Sequence, residues 1–351
     1  MSAGRPVAEI GARIQALLEA AQEVARGAEA VPALVGSTGL SVEGVRLALA
    51  HSLERDVSPP ELETLVARVR PAEAVSVVLA ANVFTASVRA VALAVASAPR
   101  VFVRPSRRDP WFSSELVRTL EDPRVVLVDE VRTHEGVVHA YGRDATMRAL
   151  AERTRMPVWA HGAGLGVTLV DTDADVREAA ERTADDVVPF DQRGCLSPRV
   201  VVVMGGPQRA EPFADALHAA LVRRRHEVPL GVFSAEERAE IEAAARVALM
   251  CGDAVGDLGA RVAVVGHDPE RPLPILPPGR NVLVVAVDDL RAAGEVVSGL
   301  GRVVVGVAVS GSSLADLAPP WARVVPLGAL QRPRLDGPVD LRDVWLGIRR
   351  G

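Results

Sequence analysis

Two cysteines, Cys195 and Cys251, are the only thiols in the 351 residues, and their settings differ. Cys195 lies in the run FDQRGCLSPR at 190–199, between a helical pattern and an apolar run that begins near Arg199. A sharp turn at Gly194 would bring its sulfur to the edge of a sheet. Nucleophilic attack needs the thiolate, which the neighbouring Arg193 and Arg199 would favour. A cysteine outside disulfides is also commonly a small, inert core residue, and local context alone leaves both roles open. Cys251 ends an apolar helical face in ARVALMCGD and reads as a packing residue.

Asn82 interrupts an apolar run in VVLAANVFTASVRAVALA. A polar amide where a strand gives way to a helix stands where α/β folds hold ligands, and it could donate to an oxygen that becomes negative during reaction; a turn or cap role competes. Arg104 ends the next apolar run in VFVRPSRRDP, and Pro105 and Ser106 turn the chain toward a helix. Arginines at such an edge suit phosphate or ribose. The run HGAGLG at 161–166 departs from the GxGxxG spacing of a dinucleotide loop and serves equally as a hinge. His161 at its head reads as an acid/base group or as a structural histidine.

These residues need elements to position them. Apolar residues at helical spacing (Val7, Ile10, Ile14, Leu17, Leu18, Ala21, Val24) predict a helix over 7–26, and 41–53 and 60–69 read alike, with Ser41 as cap and Pro59 and Pro60 at a helix start. Short Val-rich runs at 75–80, 101–103, 125–128, 137–141 and 157–160 alternate with helical patterns at 87–97, 110–120 and 145–153. Continuous apolar runs of this kind argue a parallel sheet covered on both faces. The pattern restarts with strands at 167–170, 199–204, 261–265, 282–287 and 303–309, helices at 174–185 and 208–224, and a capping box from Ser234 to Glu237. The expected fold class is α/β, a Rossmann-type cofactor-binding domain plus a second α/β catalytic domain, with a helical N-terminal segment. The expected division is 1–160, 161–325 and a tail at 326–351, and the segment from 319 to 351 is richer in Pro and Arg with little periodicity.

Composition narrows the chemistry. All 40 basic residues are arginines, set against 45 carboxylates for a net charge of -5. Without a lysine there is no Schiff base and no P-loop, and without a basic block nucleic acid is not an expected partner. Neither cysteine has zinc-ligand spacing, so no metal is expected. The most apolar stretch, 75–98, carries Arg89 and would bury a charge in a bilayer. No export signal is read at the start, and the protein reads as cytoplasmic.

Taken in order, ANVFTASVRAVALAVASAPRVFVRPSRRDP, YGRDATMRAL, HGAGLGVTLVD and DDVVPFDQRGCLSPRVVVV resemble the aldehyde dehydrogenase superfamily, nearest to its LuxC-like acyl-CoA reductases. The resemblance implies that Cys195 is the nucleophile, and that Asn82 with the Cys195 backbone N–H forms the oxyanion hole. It puts Arg104 where a lysine usually meets the adenosine ribose, and Arg107 near a position often held by Glu in NAD-preferring members, so NADP(H) is preferred over NAD(H). Tyr141, Gly142, Arg143 and Asp144 match the turn that approaches the pyrophosphate. Oxidative members carry a water-activating Glu in the segment held here by Ala160, His161 and Gly162; no carboxylate occurs between Arg155 and Val170, which favours reduction. The implied reaction is NAD(P)H-dependent reduction of an acyl-CoA or other acyl thioester to an aldehyde, by a homo-oligomer for which 319–351 is a candidate contact. Alternatives are an NAD(P)-dependent aldehyde dehydrogenase, an acyl phosphate reductase, a catalytically silent subunit and a cysteine acyltransferase.

Overall fold

Strands rich in valine, most of them buried along nearly their whole length, make the two sheets of this protein, seen in a computed structural model that describes residues 5–81, 83–131 and 136–347. The chain divides into two units, residues 5–38, 48–163 and 334–347 in the first and 39–47 and 164–333 in the second.

The first unit begins with α1 (Val7–Arg26), α2 (Ala30–Thr38), α3 (Val42–His51), whose opening residues group with the second unit, and α4 (Pro59–Arg68). In α1 the expected apolar positions from Ile10 to Val24 are buried, whereas Val7, in the first turn, is exposed. Ser58 and Glu61 close a capping box on α4, the Ser58 N–H donating to Glu61 Oε2 at 2.9 Å. Strand and helix then alternate: β1 (Ala74–Val78), α5 (Ala86–Ser97), β2 (Arg100–Arg104), α6 (Trp111–Leu120), β3 (Val125–Leu127), β4 (Val137–Tyr141), α7 (Asp144–Thr154) and β5 (Val158–His161). The last strand of the chain, β13 (Trp345–Leu346), returns to this unit. Across the sheet the order is β13-β5-β4-β1-β2-β3, parallel throughout except that β13 runs antiparallel to β5 with Trp345 opposite Trp159.

The second unit holds β6 (Leu165–Val170), α8 (Val176–Val187), β7 (Pro198–Met204), α9 (Pro207–Glu227), α10 (Ala235–Cys251), β8 (Asp253–Val255), β9 (Arg261–Gly266), β10 (Asn281–Val287), α11 (Leu290–Leu300), β11 (Val304–Val309) and β12 (Arg323–Pro326). Their order is β12-β11-β6-β7-β10-β9-β8, and only β8 is antiparallel. One face packs Leu169, Val202, Leu283 and Val285 against Ala248 of α10 and Val296 and Val297 of α11. The other packs Val201, Val203, Val282 and Val284 against Ala180 of α8 and Phe213, Leu217 and Leu221 of α9. The Ser234–Glu237 capping box forms as expected.

Two expectations are corrected. The segment from 319 onward is not irregular, since it contributes β12 to one sheet and β13 to the other. Cys251 is exposed rather than packed, because the buried stripe of α10 (Ile241, Ala245, Ala248) ends a turn before it. Among the described residues no single helix is long and apolar enough to cross a membrane.

Arg89 is buried within the apolar helix α5, and its charge is matched. Its Nε and Nη2 both donate to Glu54 Oε1, and its Nη1 donates to the carbonyls of Arg334 and Gly337 at 2.8 and 2.9 Å. One guanidinium therefore ties α5 to the returning end of the chain. Substituting Arg89→Met leaves the Glu54 carboxylate partly buried and unpaired, and by the usual cost of breaking a buried pair should destabilise the unit by about 3 kcal/mol. A lower melting temperature with faster tryptic cleavage near Arg334 is the expected result.

Candidate active site

In the first sheet the strands run in register, Val78 beside Arg104 and Ala140, and Tyr141 beside His161. Parallel strands end at one edge, so residues that follow β1, β2, β4 and β5 emerge together there, the usual place for a ligand in an open α/β sheet. Arg104 is half-buried and its Nε donates to the Asp129 carbonyl at 3.1 Å. In the turn beyond it, Pro105 and Ser106 are half-buried, Ser106 Oγ accepts from the Arg108 N–H at 3.3 Å, and Arg107 is exposed. Gly142 has φ +147°, a value that side chains disfavour, and no atom lies within 4 Å of the place where a side chain would begin. Arg143 is exposed at the start of α7, its carbonyl accepting from the Met147 N–H. Asn82 lies outside the described residues.

His161 and His139 alternate with Ala160, Ala140 and Val138, so the imidazoles project to the face opposite Met147. They share it with Tyr141 and Trp159. The Tyr141 and His161 rings stack at 4.4 Å, 10° from parallel, and Trp159 meets His139 edge-on at 4.9 Å. His161 is 6% exposed, and neither of its ring nitrogens has a hydrogen-bond partner among the described residues. Burial, with the Arg342 charge, pushes its pKa down to about 3; burial, with His161, does the same for His139. Burial pushes the Tyr141 hydroxyl up. At neutral pH this cluster is uncharged.

Asp144, expected only in the turn that approaches the pyrophosphate, also reaches the segment after His161. The segment after His161 has no carboxylate of its own, but Asp144 Oδ1 accepts from the Ala163 N–H at 3.3 Å and would stand 2.4 Å from a Cβ at Gly162. The fold thus brings a carboxylate to a segment whose sequence lacks one.

In the second unit, Cys195 is half-buried just before β7, at the amino edge of its sheet. The Ser197 N–H donates to the Gly194 carbonyl at 3.1 Å, closing a turn with Cys195 and Leu196 at its centre. The sharper bend comes earlier, where Phe190, Asp191 and Gln192 all take left-handed φ values of 55°, 51° and 65°. Each such residue costs about 1–2 kcal/mol, so the bend must be held by what surrounds it.

Gln192 is fully buried; its Nε2 donates to the carbonyls of Pro198 and Asn281 at 2.7 and 2.8 Å, and its Oε1 accepts from the Asn281 N–H at 2.8 Å. Asp191 accepts from Arg280 Nη2 at 2.7 Å and from the Gly231 N–H at 3.0 Å. Burial lowers the Arg280 pKa against the pull of Asp191, and Arg280 Nη1 also donates to the Val228 carbonyl. Nearby, Asp186 accepts from the N–H groups of Gly328 and Leu330, and burial pushes its pKa up to about 7. Gln331 donates to the Asp186 carbonyl and to Ser197 Oγ. The two arginines thought to favour the thiolate have other engagements as well. Arg199 donates twice to the Leu276 carbonyl, while Arg193 donates to the Val232 carbonyl and lies over the Phe233 ring.

Among the described residues no group of three or more His, Cys, Asp or Glu side chains is placed to hold a metal ion. The family model of the acyl-CoA reductases, LuxC, matches residues 61–338, which span both units from α4 past Cys195 to the returning tail. This chain belongs to the acyl-CoA reductase (LuxC) family. A long-chain acyl-protein thioester reductase of Aliivibrio fischeri is 24% identical over 236 residues, 61% of this chain and 48% of that protein, so the match spans about half the relative's length. This chain also superposes on an NAD-dependent benzaldehyde dehydrogenase from Corynebacterium glutamicum with a TM-score of 0.72 at 17% identity, over 99% of this chain and 87% of that one. An NADP-dependent glyceraldehyde-3-phosphate dehydrogenase from Bacillus halodurans gives 0.65 at 12% identity, over 91% and 78%. The fold is that of the aldehyde dehydrogenases.

Two predictions follow from these contacts. Gln192→Leu keeps the volume but unpairs one buried N–H and two carbonyls, a loss of about 3 kcal/mol; in a Cys251→Ser background it should lower the urea midpoint and speed labelling of Cys195 by a thiol reagent. For the imidazoles, the unfolded chain binds protons near pH 6.5 while the folded chain does not until about pH 3. Stability is then intact above pH 6.5 and falls as the pH drops toward 3, by at most about 1.4 kcal/mol per pH unit for each ring. Melting curves from pH 7 to 4 should steepen accordingly, and the double variant His139→Gln, His161→Gln should flatten the slope.

Proposed function

We propose that this chain reduces a thioester-activated acyl group, such as an acyl-CoA, to an aldehyde through an acyl thioester on Cys195. The observation that carries this reading is a half-buried cysteine on a turn whose base is locked by buried hydrogen bonds, in a chain of the acyl-CoA reductase family. The Cys195 thiolate attacks the acyl carbonyl carbon, and the negative charge gathers on its oxygen. Backbone N–H of Cys195 and, on the resemblance, the Asn82 amide receive that charge, since fixed donors need no reorganisation during the step. The C–S bond to the departing thiol breaks, leaving the acyl group on Cys195 and returning the electron pair to the leaving sulfur. After reduction the carbonyl re-forms, the aldehyde departs and the Cys195 thiolate is regenerated. His161, neutral and buried, is given no proton-transfer role.

A reduced nicotinamide dinucleotide, NADP(H) in preference to NAD(H), would supply the hydride. The side chains at the carboxyl edge of the first sheet fit such a group. Arg104, Arg107 and Arg143 offer guanidinium groups for phosphates, and the open space at Gly142 lets backbone approach a pyrophosphate. This gives residues up to about 160 the cofactor-binding role, and the unit carrying Cys195 the catalytic one.

A second reading, aldehyde oxidation to the free acid, is favoured by Asp144 beside the Ala163 N–H, because a carboxylate there could take a proton from water. Both readings are tested by supplying acyl-CoA thioesters of graded length with NADPH or NADH, and in parallel aldehydes with NADP+ or NAD+, to the wild type and Cys195→Ala. The expected outcome is aldehyde from acyl-CoA, faster with NADPH, and activity at least about 10³-fold lower in Cys195→Ala. Free acid made from aldehyde without coenzyme A, and lost in Asp144→Asn, would replace the first reading with the second. Equal turnover in both proteins would remove the cysteine from the mechanism.

A further inference from the structure

We propose that the second unit holds a separate small-molecule site at the carboxyl edge of its sheet, and that its ligand is a nucleoside gripped through the two adjacent hydroxyls of its ribose. The strands β7 and β10 are neighbours, parallel and in register to their ends, Met204 beside Val287. From those ends α9 leaves to one face of the sheet and α11 to the other. Where the helices that follow neighbouring strands part in this way the strand ends stay uncovered, and in open α/β sheets such an edge is where ligands sit. A cavity of about 470 Å³, within the range of small-molecule sites, opens here over the ends of β9 and β10, between Pro207 at the start of α9 and the first turns of α11. Cys195 precedes β7 and so lies at the opposite edge.

The polar groups of the cavity select the ligand. Asp288, immediately after β10, is exposed into it and has no hydrogen-bond or ion-pair partner among the described residues. Gly206, next to Pro207 of the lining, has φ +73°, and a Cβ there would approach Asp288 Oδ1 to 3.0 Å, so the glycine keeps the carboxylate clear. On the other wall Glu295 is already paired with Arg291 Nη1 at 2.6 Å and lies 3.3 Å from His267 Nε2. The unbalanced charge is therefore that of Asp288. A phosphate would meet repulsion there, whereas a vicinal diol donates one O–H to each carboxylate oxygen, the pairing by which an acidic residue at a strand end holds ribose. Pro207, Pro269 and Ala292 supply apolar wall for a base.

Equilibrium dialysis of labelled adenosine against the full chain tests the proposal, with 2'-deoxyadenosine, AMP and spermidine as alternatives and Asp288→Asn, Arg104→Ala and Cys195→Ala as variants. Adenosine should bind saturably, deoxyadenosine roughly tenfold to a hundredfold more weakly, as for loss of a hydrogen bond to a charged group, and AMP no better than adenosine. Asp288→Asn should lose the same factor with an unchanged circular dichroism spectrum. Arg104→Ala and Cys195→Ala should bind as the wild type does, even if the proposed reductase activity is never found. No saturable adenosine binding, equal binding of the deoxy compound, competition by spermidine alone, or loss in Arg104→Ala rather than Asp288→Asn would each overturn it.

Discussion

The position of the Cys195 thiol depends on three residues that precede it and on the groups that hold them bent. Phe190, Asp191 and Gln192 occupy a backbone region that L-residues avoid, and nothing in their own side chains favours it. What fixes them is tertiary: Gln192 bridges the starts of β7 and β10, and Asp191 is paired with Arg280 in the interior. Arg280 is itself left-handed and fully buried. A buried ion pair adds little net stability, but each partner makes the other's removal costly, so the pair works as a geometric constraint. The half-buried cysteine sits at the end of this bracket.

The first unit works by a different means. Its candidate binding groups are held by strand register, which brings the ends of β1, β2, β4 and β5 to one edge. The turns carry the chemistry and the sheet carries the precision, the usual division of labour in α/β proteins. In the second unit the cysteine turn is at the amino edge of the sheet and the cavity beside Asp288 at its carboxyl edge, so the two lie at opposite ends of the sheet.

Much of this was readable from the chain. The Val-rich runs became strands within a residue or two, because a strand buried on both faces needs a continuous apolar run. The Ser234–Glu237 box and the Pro59 helix start are local signals and appear where they should. The short strands β8, β12 and β13, of two to four residues, were missed, since so brief a run has no period of its own. Helix α2 was missed too, with Pro32 and Gly36 diluting its pattern. At the site, Cys195 could be singled out by its polar neighbours, but not the role of Gln192, whose partner Asn281 is 89 residues away. Asp144 likewise belongs to another turn, and scanning 155–170 for a carboxylate could not find it.

The return of the chain to its first unit also dictates an order of assembly. Trp345 pairs with Trp159 across most of the second unit's sequence, and Arg89 waits for the carbonyls of Arg334 and Gly337. During synthesis the second sheet can close on itself while the first still lacks its border strand and the acceptors for a buried guanidinium. Such long-separated pairings form late and slowly. Until they form, the nascent protein carries an open strand edge at β5, the kind of surface that invites association with other chains.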